Sequence, residues 1–257
     1  MKSKIEMIIK KFVQHYSDMK DVETKWMEPL VTYADANDEM FNRLKDIVSP
    51  SHSLPRDLLR DASTVVAYFI PFHEEIIKSN KEGMECSRAW AKAYIETNQL
   101  IFDLNTYIKN ELQKLGCKTN ITPATHNFDS EKLISDWSHR HVAVIAGLGK
   151  FGLNNMVITD KGCCGRIGTF IIDANVEPTE RKNQESCLYK HMNICTQCVD
   201  KCVNDALSVH GFNRGKCYEM CLHNDKVHSD INGLTDACGK CLVNLPCSMT
   251  NPVKLIK

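Results

Sequence analysis

The chain has 257 residues, a mass of 29.2 kDa and 43% hydrophobic residues, enough for one large domain or two small ones with packed interiors. Lysine plus arginine and aspartate plus glutamate each number 32, so formal net charge is zero, and the pI near 7.1 excludes a generic polyanion-coating role. No apolar run approaches the roughly 18 residues of a bilayer span, and Met1 leads into the amphipathic KSKIEMIIKKFVQHY rather than a signal peptide. A cytoplasmic protein with no membrane partner is the expectation.

In residues 4–18, Ile5, Ile8, Ile9, Phe12 and Tyr16 recur at three- and four-residue steps, which predicts a packing helix. A second helix is expected over NDEMFNRLKDIV, ending at SPSHSLP, where Pro50 and Pro55 punctuate. STVVAYFIPF, rich in β-branched and aromatic residues, reads as a buried strand. A long helix follows from about Ser87 to Leu115, closed by Gly116 in the C-cap position. Next come a short strand near KTNITPA and a helix starting at Asp129 or Ser130 and running through Trp137. NMVIT and GTFIIDA flank DKGCCGRI, which predicts a β-hairpin. The body, residues 1–180, is therefore mixed α and β, the fold class is α+β, and the polar EPTERKNQES at 177–186 separates it from a tail over 181–257.

The tail is distinguished by cysteine. Of 13 in the chain, Cys86, Cys117, Cys163 and Cys164 precede residue 186, and all the others lie beyond it. In a reducing compartment such crowding reads as metal ligation before it reads as disulfides. Cys195, Cys198 and Cys202 form CxxCxxxC with Cys187 upstream; Cys238 and Cys241 form a second CxxC, followed by Cys247 and preceded by Cys217. Two-cluster ferredoxins exchange the last cysteine of each run between their cubes. That logic gives one [4Fe-4S] cluster on Cys187, Cys195, Cys198 and Cys247, and another on Cys202, Cys217, Cys238 and Cys241, making the tail a ferredoxin-like domain. A single zinc site would leave Cys202, Cys217 and Cys247 without a role. Cys221, one helical turn after Cys217, is either an alternative ligand or a free thiol. Cys86 and Cys117 are expected to be small buried hydrophobes, and Cys163 and Cys164 hairpin-tip thiols without a role.

Gly147, Gly149 and Gly152 spell GxGxxG after VAVIA, but LNN leads straight into NMVIT and leaves no room for the crossover helix of a dinucleotide fold. AGLGKFGLNN, followed by a hairpin and a double-cluster cysteine array, resembles the epoxyqueuosine reductases, the cobalamin-dependent iron–sulfur enzymes that complete the tRNA base queuosine. With VVAYFIPF and WAKAYIETNQLI, the resemblance covers roughly residues 55–252. It implies a corrinoid-binding body beside the two clusters, with Gly147, Leu148, Gly149, Gly152 and Asn154 in the loop that approaches the corrin.

The chain also departs from that pattern. Met192 stands where the family's first cysteine is expected, Val203 replaces a proline, and the position of the catalytic aspartate falls near Leu133, between Asp129 and Asp136. With the family's carboxy-terminal helical-repeat extension also missing from a sequence that ends at Lys257, the expectation is a shorter relative, with tRNA doubtful as its substrate. In SHRH, His139 and His141 are candidate proton donors and Arg140 a contact for an anionic group. With Asp129 and Asp136 they form the candidate catalytic set, the alternative being that the histidines cap and pack a helix end. The expectation is an oxidoreductase taking electrons from a ferredoxin or flavodoxin and passing them through two clusters to cobalamin, and so to a substrate or partner corrinoid protein. The competing reading is a ferredoxin-like carrier without a second cofactor.

Overall fold

Strand Thr64–Pro71 is buried along its whole length because helices cover both faces of the sheet it centres. The computed structural model describes residues 1–123 and 127–256. Its strands are β1 (Leu30–Asp35), β2 (Thr64–Pro71), β3 (Thr119–Ile121), β4 (Gly149–Phe151), β5 (Val157–Thr159) and β6 (Gly165–Ile172). The helices of the body are α1 (Lys2–Met19), α2 (Met40–Ile47), α3 (Pro55–Leu58), α4 (Glu74–Ser79), α5 (Arg88–Gln113) and α6 (His139–Ile145). Those of the tail are α7 (Leu188–Met192), α8 (Gln197–Asp200) and α9 (Arg214–Val227).

The main sheet has the order β1-β2-β6-β3, antiparallel throughout, with Ala67 opposite Thr169 at the centre of the β2–β6 register. Alternation along β2 divides the core. Val66, Tyr68 and Ile70 face α1 and α5, where they meet Ile5, Ile9, Tyr16, Leu100, Leu104 and Ile108. Val65, Ala67 and Phe69 face α2 and α6, where they meet Phe41, Leu44, Trp137, Val142 and Ile145. Each fully buried Val, Leu, Ile or Phe among these contributes about 1.5–3 kcal/mol relative to exposure. A third core joins Phe72, Ile76, Trp90, Cys163 and Cys164 to Cys187, Ala237, Leu242 and Val243 of the tail. The mixed α and β class is as expected.

Two expectations are corrected. Residues 130–133 form a turn closed by an Asp129–Ile134 bridge, and the helix starts only at His139, with Ser138 at its N-cap. The reason is local: the Asp129 carboxylate accepts from the backbone N–H groups of Glu131 and Lys132, both at 3.0 Å, and so competes with helix formation. NMVIT and GTFIIDA do not pair with each other. β5 pairs with β4, whereas β6 lies between β2 and β3. Residues between β5 and β6 instead bond to the end of the tail, Cys163 N–H to Cys247 O at 3.0 Å and Cys164 N–H to Ser248 O at 3.1 Å.

Candidate metal centres

Cys187, Cys195, Cys198 and Cys247 line one cavity, closed by Leu153, Asn154, Ile158, Leu188, Leu245, Pro246 and Pro252, with about 330 Å³ of free space counting its open mouth. Three different tail segments supply the sulfurs. Cys187 is the N-cap of α7, Cys198 lies in α8 and Cys247 follows the short 3₁₀ turn Lys240–Leu242. Burial, reinforced by Cys247, Cys187 and Cys195, pushes the Cys198 thiol up to about 12. Met192, where the resembled family has its first cysteine, is 48% exposed, and Cys187 takes the place at the cavity.

Cys202, Cys217, Cys238 and Cys241 form a second neighbourhood. Burial, opposed by the Lys240 backbone and reinforced by Cys217 and Cys202, raises the Cys238 thiol to about 11, and burial also raises Cys241 beside Cys238, Cys217 and Cys202. Cys221 belongs here too: its thiol hydrogen-bonds with that of Cys217 one turn earlier on α9, lowering Cys217 and raising Cys221. The two neighbourhoods adjoin, since Cys241 also feels Cys198. Among the described residues, no three His, Cys, Asp or Glu side chains converge as they would around a single ion. All 13 cysteines are free thiols.

Cys163 and Cys164, expected to be hairpin-tip thiols without a role, are each 1% exposed, and Cys163 lies between the two sets. Cys163 hydrogen-bonds with the Cys247 thiol and lies near Cys241, and the Cys164 thiol donates to Leu242 O at 3.1 Å. Their adjacency was visible, but the contact depends on a tail that returns to the body. Cys86 and Cys117 are buried in the apolar cores.

The glycine loop is folded upon itself. Gly149 and Phe151 bracket β4, and a Cβ on Gly149 would stand 2.3 Å from Ile158 O. One on Gly152 would meet Asn154 Oδ1 at 2.7 Å, and one on Gly147 (φ +78°) would meet Thr179 O at 3.3 Å. Leu148 is buried in the core, and Asn154 Nδ2 donates to Cys241 O at 3.1 Å. These glycines allow the chain to approach itself; their missing Cβ positions do not form an open cradle. Gly147, Leu148 and Gly149 do line the wall of a groove of about 480 Å³ with Lys150, Arg181, Lys182 and Lys254.

Of the candidate catalytic residues, Arg140 and His141 come together with Arg214 near Cys217. Exposed Arg140 donates to Asn155 O at 2.8 Å. His141 packs on the Phe151 ring and bonds through Nδ1 to Ser138 Oγ at 2.7 Å; burial, then Arg140, His52 and Arg214, pushes its imidazole down to about 4. His139 is held against the body, with Nε2 2.9 Å from Pro123 O and Nδ1 2.8 Å from Thr169 Oγ1. Asp129 caps its own turn, and Asp136 accepts from Ser51 Oγ at 2.5 Å. His52, which nothing in SPSHSLP marks, is buried between Ser53 O and the Ser138 N–H and stacks on Trp137 at 5.7 Å.

No family model matches the chain, and no curated protein matches it. Solved structures do. An epoxyqueuosine reductase from Streptococcus thermophilus aligns at TM-score 0.53 and 16% identity over 93% of this chain. One from Bacillus subtilis, with its catalytic aspartate loop swung out of the active site, aligns at 0.55 and 16% over 95%. An epoxyqueuosine reductase bound to an epoxyqueuosine-modified tRNA-Tyr stem loop aligns at 0.56 and 17% over 95%. The chain spans 66% of the length of each of these. No helix among the described residues is long and apolar enough to cross a membrane. The fold of this chain is similar to that of the epoxyqueuosine reductases.

Proposed function

We propose that the chain is an iron–sulfur oxidoreductase whose tail, residues 181–257, is a ferredoxin-like domain with two [4Fe-4S] clusters. The first is held by Cys187, Cys195, Cys198 and Cys247, and the second by Cys202, Cys217, Cys238 and Cys241. The observation that carries this reading is the cavity lined by all four thiols of the first set, drawn from separate segments. The donor chemistry fits: closely spaced buried thiols raise one another's pKa, and iron would supply the positive charge that favours thiolate. Ligands of a cube bind four different irons, so they need not converge as ligands of one zinc ion do. The clusters supply one-electron transfer. The chain's own residues give the cavity an apolar wall, with Leu153, Ile158, Leu188 and Leu245, and fix the Cys247 backbone through the Cys163 N–H.

The resemblance and the shared fold support a corrinoid as the electron acceptor, with a substrate or partner corrinoid protein beyond it. The glycine loop does not fit the part of corrin cradle assigned to it, because its Cβ positions are filled by Ile158, Asn154 and Thr179. The exposed Arg140 beside Cys217 is the surface that would meet an anionic acceptor. The closed loop favours, as a second reading, a carrier that passes electrons to a partner without holding a second cofactor.

Anaerobic reconstitution with iron and sulfide, followed by metal analysis, tests the proposal. About eight irons per chain with cluster absorption are expected from two cubes. A colourless, iron-free product overturns it. Titration with cobalamin then separates the two readings: a base-off corrin spectrum supports the reductase, and an unchanged cobalamin spectrum supports the carrier.

A further inference from the structure

The thiol cavity and the cationic groove adjoin. Ser186 and Asn251 line the groove, their neighbours Cys187 and Pro252 line the cavity, and Asn251 Nδ2 donates to Ser186 Oγ at 3.2 Å across the shared wall. Lys150, Arg181, Lys182 and Lys254 line the groove with Asp160 and Glu185; Arg181 is paired with Asp38 outside the lining, so Lys150 and the Lys182–Lys254 pair carry the excess, in a chain whose total charge is zero. The positive excess is therefore local. Asp160 is held between Lys182 and Lys254, whose side chains are 63% and 42% exposed. Between the cavity-lining Leu188 and Cys195 the chain exposes Lys190, His191, Met192 at 48% and Ile194 at 61%.

Apolar side chains beside a cationic rim, at the opening of a redox site, match the requirements of a transient electron-transfer contact. The apolar part excludes water at the point of closest approach, and the rim steers a partner of opposite charge. We propose that this face is the docking surface for an acidic one-electron carrier protein, which delivers electrons to the cluster on Cys187, Cys195, Cys198 and Cys247. The proposal rests on the cluster reading and adds to it the point of entry and the charge of the donor. The donor loses one electron, the cluster gains one, and no bond or proton need change.

The test uses the reconstituted full chain and photoreduced plant-type [2Fe-2S] ferredoxin, an acidic carrier, mixed anaerobically in a stopped-flow instrument. The second-order rate constant is expected to fall steeply with added salt. In Lys150→Glu/Lys190→Glu it should fall at least about tenfold at low salt and lose most of that salt dependence. Reduction by the methyl viologen radical, a small cation that needs no docking face, should proceed in both proteins with equal iron content. Indifference to salt in the unaltered protein overturns the docking face by itself, so that outcome does not depend on the variant folding. A rate indifferent to salt and to charge reversal overturns the docking face while leaving the clusters in place. So does a result in which the reversals abolish binding of an RNA stem loop and leave ferredoxin transfer intact. A chain that takes up no iron overturns the cluster reading, and the docking face with it.

Discussion

The Lys240 ammonium group donates to Asn80 O at 3.0 Å and to Glu82 O at 2.6 Å, although Lys240 is only 3% exposed. Asn80 in turn donates from Nδ2 to Cys238 O at 2.9 Å and accepts the Ser87 N–H on Oδ1 at 2.9 Å. The turn bearing Cys238 and Cys241 is thus tied to the junction of α4 and α5 by buried polar contacts. Its cysteines are held by the body as well as by any metal they bind.

Lys240→Met removes the donor and leaves the buried Asn80 carbonyl without it. An unmet buried acceptor costs about 1–3 kcal/mol. Urea unfolding of the reconstituted protein should show a loss in that range, whereas Lys78→Met, which removes an exposed pairing with Glu74, should change stability by less than about 0.5 kcal/mol. Equal losses would show that the Lys240 contacts contribute nothing beyond an ordinary surface ion pair.

His141 predicts a pH dependence. Its imidazole is pushed down to about 4 from 6.5, by burial first and then by Arg140, His52 and Arg214. The unfolded chain binds the proton more readily, so the stability contributed by neutral His141 is complete above about pH 6.5 and declines as pH falls towards 4. His52, lowered chiefly by burial, acts in the same direction. Unfolding of the unaltered protein measured from pH 7.5 to 4.5 should show this decline, and His141→Gln should make it shallower. An unchanged slope in the variant would locate the acid sensitivity elsewhere.

Much of this architecture was legible because it is periodic or because it counts. The apolar steps from Ile5 to Tyr16 became α1, the unbroken VVAYFIP became β2, and both are governed by interactions that repeat along one element. The grouping of Cys187, Cys195, Cys198 and Cys247 followed from spacing and the exchange of a last ligand, and one cavity gathers them. What escaped depends on segments far apart in the chain. β6 joins β2 rather than β5 because a sheet partner is chosen by the whole core, and Cys163 meets Cys247 only because the tail folds back. Asp129 misled in a different way: a residue suited to starting a helix closed a turn with the same carboxylate.

Iron content in single variants tests the two groups separately. Cys198→Ala and Cys241→Ala should each lose the iron of one cube, about four per chain. Cys117→Ala, altered in the core between α1 and α5, should lose none. Cys217→Ser and Cys221→Ser distinguish the α9 pair, with the first expected to lose one cube and the second to retain both. Retention of full iron by Cys217→Ser would transfer the ligand to Cys221.

The glycine loop offers a test independent of any cofactor. A Cβ at Gly149 would lie 2.3 Å from Ile158 O and 2.8 Å from its carbonyl carbon, inside the β4–β5 pairing, where neither backbone can retreat without breaking the hairpin. Overpacking of this kind costs about 1–3 kcal/mol or more. Gly116 is the contrast: its φ is +74°, but nothing lies within 4 Å of a Cβ there, so alanine meets only the left-handed backbone penalty of about 1–2 kcal/mol. The expected order in thermal unfolding is unaltered protein, then Gly116→Ala, then Gly149→Ala. The second variant should also bind iron less well, because the displaced hairpin carries Asn154, whose amide holds Cys241 O. A Gly149→Ala protein as stable as Gly116→Ala would mean that the hairpin yields freely, and that the loop retains the space to admit a ligand against its backbone.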